Sequence, residues 1–200
     1  TRDTIGGFNS MIEKEKKLDV DAHVTTVLFN DQYKMLYNRR ELKDVSKMTD
    51  KDYTPGGMTA LLDAVGRTIH KMDMVAGIHR KAKGNKVLFV IITDGEENDS
   101  KEYTYADVKK LIKDRQENAG WEFIFLGANI DAAAAAENLG IDRDRAVKYK
   151  NTGSGVRANF KAVAELSDSL AKSGRVSDRW KETVEKDEAH AADKQSAAVT

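Results

Sequence analysis

Val87-Leu88-Phe89-Val90-Ile91-Ile92, followed at once by Thr93-Asp94-Gly95, is the stretch that decides the fold class of this chain. A strand with one face in water alternates apolar and polar side chains, whereas an unbroken apolar run suits a strand covered on both faces. Strands of that kind belong to parallel sheets with helices on either side. The run ends abruptly, so Asp94 passes from a buried strand straight into the crevice beyond its carboxyl end. That edge of an open α/β sheet is where ligands bind. A second run of the same kind, WEFIFL at residues 121–126, ends at Gly127. A charged amphipathic helix is predicted between the two, over residues 105–118. Strand, helix and strand then form a right-handed crossover unit that places the two strands side by side.

Working outward, Ile5, Phe8, Ile12 and Lys16 follow helical spacing, with Met11 and Leu18 beside them, and predict an amphipathic helix over residues 4–18 with Thr4 as its cap. Residues 23–29, HVTTVLF, read as a strand. Asn30-Asp31 turns the chain into a second strand over 34–38, and the pair resembles a hairpin. Residues 43–53 are polar and read as irregular or briefly helical. The loop opened by Pro55 leads into a helix over 60–79 with Leu61, Leu62, Val65, Ile69 and Met72 on one face. A basic turn follows at 81–85. Beyond the second apolar strand come an alanine-rich helix at 131–139, stopped by Gly140, a short edge strand at 146–149, and a helix at 156–171 with Phe160, Val163, Leu166 and Leu170 inward. The expected architecture is a Rossmann-like, doubly wound α/β domain over residues 1–172, with a mainly parallel sheet and helices on both faces. Residues 173–200, charged and then alanine-rich, are expected to form a tail that is disordered or loosely helical.

The 200 residues suffice for one domain with its own core. Lysine plus arginine equals aspartate plus glutamate, 33 each, so no net field favours nucleic acid or an anionic membrane. No cysteine is present, which excludes a thiolate metal site. No apolar run approaches the roughly 20 residues that span a bilayer, and a cytoplasmic location is expected. The chain opens with Thr1, and further sequence is expected upstream.

Two loops at the carboxyl edge carry the chemistry. In the first, Gly56-Gly57-Met58-Thr59, the glycines let the backbone pass close to another group and Thr59 stands near a helix N-terminus. In the second, Thr93-Asp94-Gly95-Glu96-Glu97-Asn98, the Asp94 carboxylate offers hard oxygen to a cation. Singly, each has a structural reading: a glycine turn with a threonine cap, and an acidic turn. Other signals fail on spacing. Asp19-Val20-Asp21 precedes a strand, whereas a phosphohydrolase needs such aspartates after one. Gly153-Ser154-Gly155 lacks the pattern of a nucleotide loop or nucleophile elbow. His23, His70, His79 and His190 form no ligand pair, Trp121 and Phe123 read as core, and Lys81, Lys83 and Lys86 as a solvated turn.

Taken together, TIGGFNSM, GGMTALLDA, VLFVIITDGEEN and GWEFIFLGANID, spread over roughly residues 4–170, resemble a bacterial and phage group of von Willebrand factor A-type domains. In that family a metal-ion-dependent adhesion site is built from three loops: an Asp-x-Ser-x-Ser loop after the first strand, a threonine from the second loop and an aspartate from the third. By motif, Thr59 and Asp94 take the last two roles. This chain has no Asp-x-Ser-x-Ser; TIGGFNSM resembles the helix that follows it, so the motif and the family's first strand are expected upstream of Thr1. The resemblance implies a non-enzymatic binding module. A divalent cation, usually magnesium (Mg2+), would be held weakly by this chain alone. An acidic group of a protein partner would complete its coordination, with Gly57, Met58, Glu96 and Asn98 on the rim. The alternatives are an interaction scaffold that has lost the metal, and a metal-dependent phosphohydrolase using Asp94, Glu96 and Glu97.

Overall fold

A computed structural model describes residues 1–18, 20–74, 86–177, 179–187 and 189. The elements run α1 (Arg2–Glu15), β1 (His23–Phe29), β2 (Tyr33–Glu41), α2 (Leu61–Asp73), β3 (Leu88–Thr93), α3 (Tyr105–Asp114), β4 (Glu122–Ala128), α4 (Ala132–Leu139), β5 (Ala146–Tyr149) and α5 (Gly153–Ser173). The two apolar strands are neighbours as expected: β3 and β4 pair in parallel, with Leu88 opposite Glu122 and Thr93 opposite Gly127. β5 adds in parallel on the far side of β4, giving the order β3-β4-β5. β1 and β2 pair antiparallel as a separate two-stranded sheet, so the strands form two sheets rather than one. β2 is longer than the expected 34–38.

Alternation along β3 and β4 sends side chains to two apolar layers. On one face Phe89, Ile91, Phe123 and Phe125 pack against Leu61, Leu62, Val65 and Ile69 of α2, Val108 and Ile112 of α3, and Ala136 and Leu139 of α4. On the other face Leu88, Val90, Ile124 and Leu126 pack against Ala162, Val163 and Leu166 of α5. A third cluster joins Phe8 and Ile12 of α1 to Tyr37 of β2, Phe160 of α5, and Leu42, Val45 and Met48. Helices therefore flank the parallel sheet on both faces. Trp121 and Phe123 are buried, as their apolar context predicts.

Three departures have physical causes. Val45 and Met48 lie in the stretch read as polar, yet with Leu42 just before it their side chains close the third cluster beneath α1, and only Leu42–Asp44 is helical, as a 3-10 turn. The helix expected over 105–118 changes character at Arg115–Ala119, where a π-type turn lets the Trp121 amide reach the Arg115 carbonyl. The segment read as a loose tail contributes to the core: Val176, Trp180 and Val184 are buried in the α5 layer, Trp180 at 2% exposure. The turn at 81–85 with Lys81 and Lys83, Asp19, His79, His190 and the last residues of the tail lie outside the described residues. No helix among the described residues is long and apolar enough to cross a membrane.

Candidate functional site at the carboxyl edge of the sheet

The N-terminus of α2 is the anchor of this edge. A helix start leaves backbone amides without partners, and Ser, Thr, Asp or Asn usually supplies the missing acceptor locally. Here the N-cap is Ala60, which has no side chain to offer. The acceptors come instead from the loop after β3. Glu97 Oε2 accepts from the Leu62 amide at 2.9 Å, and Ser100 Oγ accepts from the Asp63 amide at 3.1 Å. Asp63 returns the favour: its carboxylate accepts from the amides of Lys101, Glu102 and Tyr103 at 2.9–3.0 Å. Burial by itself would raise the Asp63 carboxyl, but the three backbone donors outweigh it and hold the group below its usual range.

This reciprocal capping brings the two sequence-predicted loops together. The Thr59 amide donates to Asn98 Oδ1 at 2.8 Å, and the Asn98 amide donates to the Thr59 carbonyl at 3.0 Å. The Thr59 hydroxyl lies 3.1 Å from where a Cβ on Gly95 would stand, which puts it against the residue next to Asp94. With consecutive Cα atoms about 3.8 Å apart, the hydroxyl is within about 8.5 Å of the Asp94 Cα. The two residues thus lie at one edge of the sheet. Asp94 is exposed, and its Oδ2 accepts from Asn151 Nδ2 at 3.2 Å. Tyr149, at the carboxyl end of β5, is nearby: burial pushes its phenol up, and the Asp94 charge adds to the effect.

The remaining predicted residues divide. Gly57, Met58 and Glu96 are exposed around Thr59 and Asp94, Met58 at 50%. Asn98 is exposed as well, but its carboxamide oxygen clamps Thr59. Glu97 turns inward. Its Oε1 accepts from the amides of Asp99 and Ser100, and its Oε2 from Leu62 and the Ser100 hydroxyl, so both oxygens cap backbone. Asn151 was not anticipated; no local motif marks it, and only the parallel register of β4 and β5 brings the start of α5 beside Asp94.

The donor chemistry suits a hard cation in kind. The Thr59 hydroxyl has no hydrogen-bond partner among the described residues, and Asp94 supplies a carboxylate. The two bring one formal charge between them, little for an ion that dehydrates as reluctantly as magnesium. Among the described residues, no three His, Asp or Glu side chains converge as a metal-binding group.

A separate cavity of about 140 Å³ opens between the β1–β2 turn and α2, lined by Phe29, Tyr33, Asp63, Arg67, Lys101 and Glu102 among others. Several of its charged side chains have partners within the fold. Arg67 makes a two-pronged pair with Glu102 at 2.6 and 2.7 Å, and Asp63 is held by backbone amides. It includes neither Thr59 nor Asp94, and the exposed donor oxygens favour the edge site over this concavity.

No protein-family model matches this chain, and no curated protein matches it.

Proposed function

We propose that this chain is a protein-binding module of the von Willebrand A type, which engages an acidic group of a partner through a divalent cation at the carboxyl edge of its sheet. The observation that carries this reading is the approach of the Thr59 hydroxyl to Gly95, beside Asp94, which brings the loop that enters α2 against the loop that leaves β3. Thr59 and Asp94 would hold the cation, and a cation with few protein charges around it keeps its attraction for a carboxylate from outside. Exposed Met58, Gly57 and Glu96 would meet the partner, while Asn98 keeps Thr59 in place. The reading of the fold that goes with this function is a doubly wound sheet of the von Willebrand A kind, with α1 and α5 on one face and α2, α3 and α4 on the other. Nothing in this role calls for a nucleophile or general base, and the chain is read as non-enzymatic, acting in the cytoplasm.

Titration calorimetry with magnesium on the 200-residue chain and on a version preceded by an Asp-x-Ser-x-Ser segment is the test. Weak binding by the first and clearly tighter binding by the second supports the reading. Tight binding by the first means that the ligands are other groups. The one formal charge that Thr59 and Asp94 bring between them favours one competing reading, an interaction scaffold that works without metal; equally weak binding by both chains would select it.

A further inference from the structure

We propose that the cavity between the β1–β2 turn and α2 is a lysine-accepting pocket, which takes the cationic side chain of a protein partner. The pocket lies beside the edge site and works without a metal, so it stands independently of the cation reading.

Three segments build its walls, and each is tied to the next. Phe29, Asp31 and Tyr33 come from the end of β1 and the turn, Ala60 and Arg67 from α2 and its cap, and Asp99 and Lys101 from the loop after β3. Asn30 fastens the turn. Its Nδ2 donates to the Gly56 carbonyl at 2.8 Å, and its carbonyl accepts from the Ala60 amide at 2.8 Å. On the far wall the Tyr33 hydroxyl bonds Thr68 Oγ1 at 3.1 Å, and the Arg67 guanidinium lies 5.9 Å from the centre of the Tyr33 ring. Asp63 ties the third segment to α2 through three backbone amides. The concavity is therefore preformed, as small binding pockets usually are.

Its charge is lopsided. Asp31, Asp63, Asp99 and Glu102 line it, against Arg67 and Lys101. These carboxylates are not equivalent. Asp63 is taken up by backbone donors, and Glu102 forks onto Arg67. Asp31 is exposed and has no ion pair among the described residues. Asp99 faces Lys101 at 3.6 Å, but the Lys101 side chain is 79% exposed and approaches from the solvent side. The excess negative charge thus rests on Asp31 and Asp99, on two different walls. Gly57 keeps room for the first, since a Cβ there would run into Asp31 Oδ1.

The occupant follows from size and charge. Ala60 and Ala64 are buried and, with half-buried Phe29, make an apolar lining. The volume is about 140 Å³. At roughly 30 Å³ per water that is on the order of four or five waters, the room that one lysine stem needs. A compact ammonium on a flexible stem has three rotatable donors and can meet carboxylates on two walls. The planar guanidinium of arginine favours one carboxylate taken two-pronged. A free amine of this size gains too little from so small a surface to be held firmly. A partner also covers neighbouring Met58, which is 50% exposed.

Amide shifts of the 15N-labelled full chain, read by NMR at neutral pH with divalent cations chelated, test the pocket. The probe is a blocked Gly-Ala-Lys-Ala-Gly peptide. Saturable shifts are expected at residues 31–33, 60–67 and 99–102. Acetylating the peptide's lysine is expected to weaken binding at least about tenfold, and Asp31→Asn in the protein at least about threefold. Lys101→Gln removes the competing ammonium and is expected to tighten binding. Five outcomes overturn the proposal: the acetylated peptide binds as well, showing a groove indifferent to charge; Asp31→Asn binds like wild type; Lys101→Gln binds no tighter; n-butylammonium binds as tightly as the peptide, showing a free amine to be the occupant; or no saturable shift appears. With divalent cations absent, none of these results bears on the edge site.

Discussion

Thr59 and Asn98 hold each other through two hydrogen bonds, Thr59 N–H to Asn98 Oδ1 at 2.8 Å and Asn98 N–H to the Thr59 carbonyl at 3.0 Å. The pair locks the glycine loop before α2 to the acidic loop after β3. Asn98→Ala removes the side-chain acceptor and leaves the backbone bond. The expected loss is about 1 kcal/mol in urea unfolding, the net worth of one partly exposed hydrogen bond. A loss above about 3 kcal/mol would mean that the whole edge depends on this clamp.

Asp63 is the deeper tie between the same two segments. Asp63→Asn keeps the shape but places an NH2 group among three backbone donors, and a loss of about 1–3 kcal/mol is expected near neutral pH. Because the folded state holds this carboxyl below its reference value of 3.8, its contribution is present above that pH and fades as pH falls through the folded value. Denaturant midpoints of wild type and variant should therefore diverge most above about pH 5 and converge below pH 4. A gap that widens in acid would contradict the assignment.

Asp94 is a separable residue. It is exposed, and among the described residues its carboxylate bonds only to the exposed side chain of Asn151. Asp94→Ala is expected to move stability by no more than about 0.5 kcal/mol while removing magnesium binding in a chain that carries the Asp-x-Ser-x-Ser segment. Thr59→Ala, which deletes a neutral oxygen and no charge, is expected to weaken that binding less. Calorimetry on the three proteins ranks them.

Gly57 has φ +91°, and a Cβ there would overlap Asp31 Oδ1 and stand 2.8 Å from Asn30 Nδ2. Gly57→Ala is expected to cost about 1–3 kcal/mol, because both the backbone conformation and the space exclude a side chain. Gly56, also at positive φ but with nothing within 4 Å of its Cβ position, is expected to tolerate alanine better. Thermal midpoints of the two variants give the comparison.

Trp180 tests where the domain ends. It is 2% exposed and packs with Val176, Val184 and the α5 layer. Trp180→Ala is expected to cost about 3–5 kcal/mol, the range for truncating a buried aromatic side chain. A loss under about 1 kcal/mol would return this segment to the status of a tail.

The local pattern of residues was enough to determine β3 and β4, their parallel adjacency, the burial of Trp121 and Phe123, and the faces of α2 and α5, because apolar periodicity is written in neighbouring positions and burial on both faces leaves an unbroken run. The two candidate loops were legible for the same reason: strand ends and helix starts mark them. Tertiary structure decided the rest. Ala60 gives no sign that Glu97 and Ser100, nearly forty positions away, cap its helix, since a cap supplied across a fold leaves no local motif. Trp180 stands alone in a charged segment, and one aromatic residue has no period to read. The division into two sheets was equally invisible. Val24–Phe29 and Leu88–Thr93 have the composition of paired strands, but composition states only that a strand wants neighbours, and which edges meet depends on backbone groups that every residue carries alike.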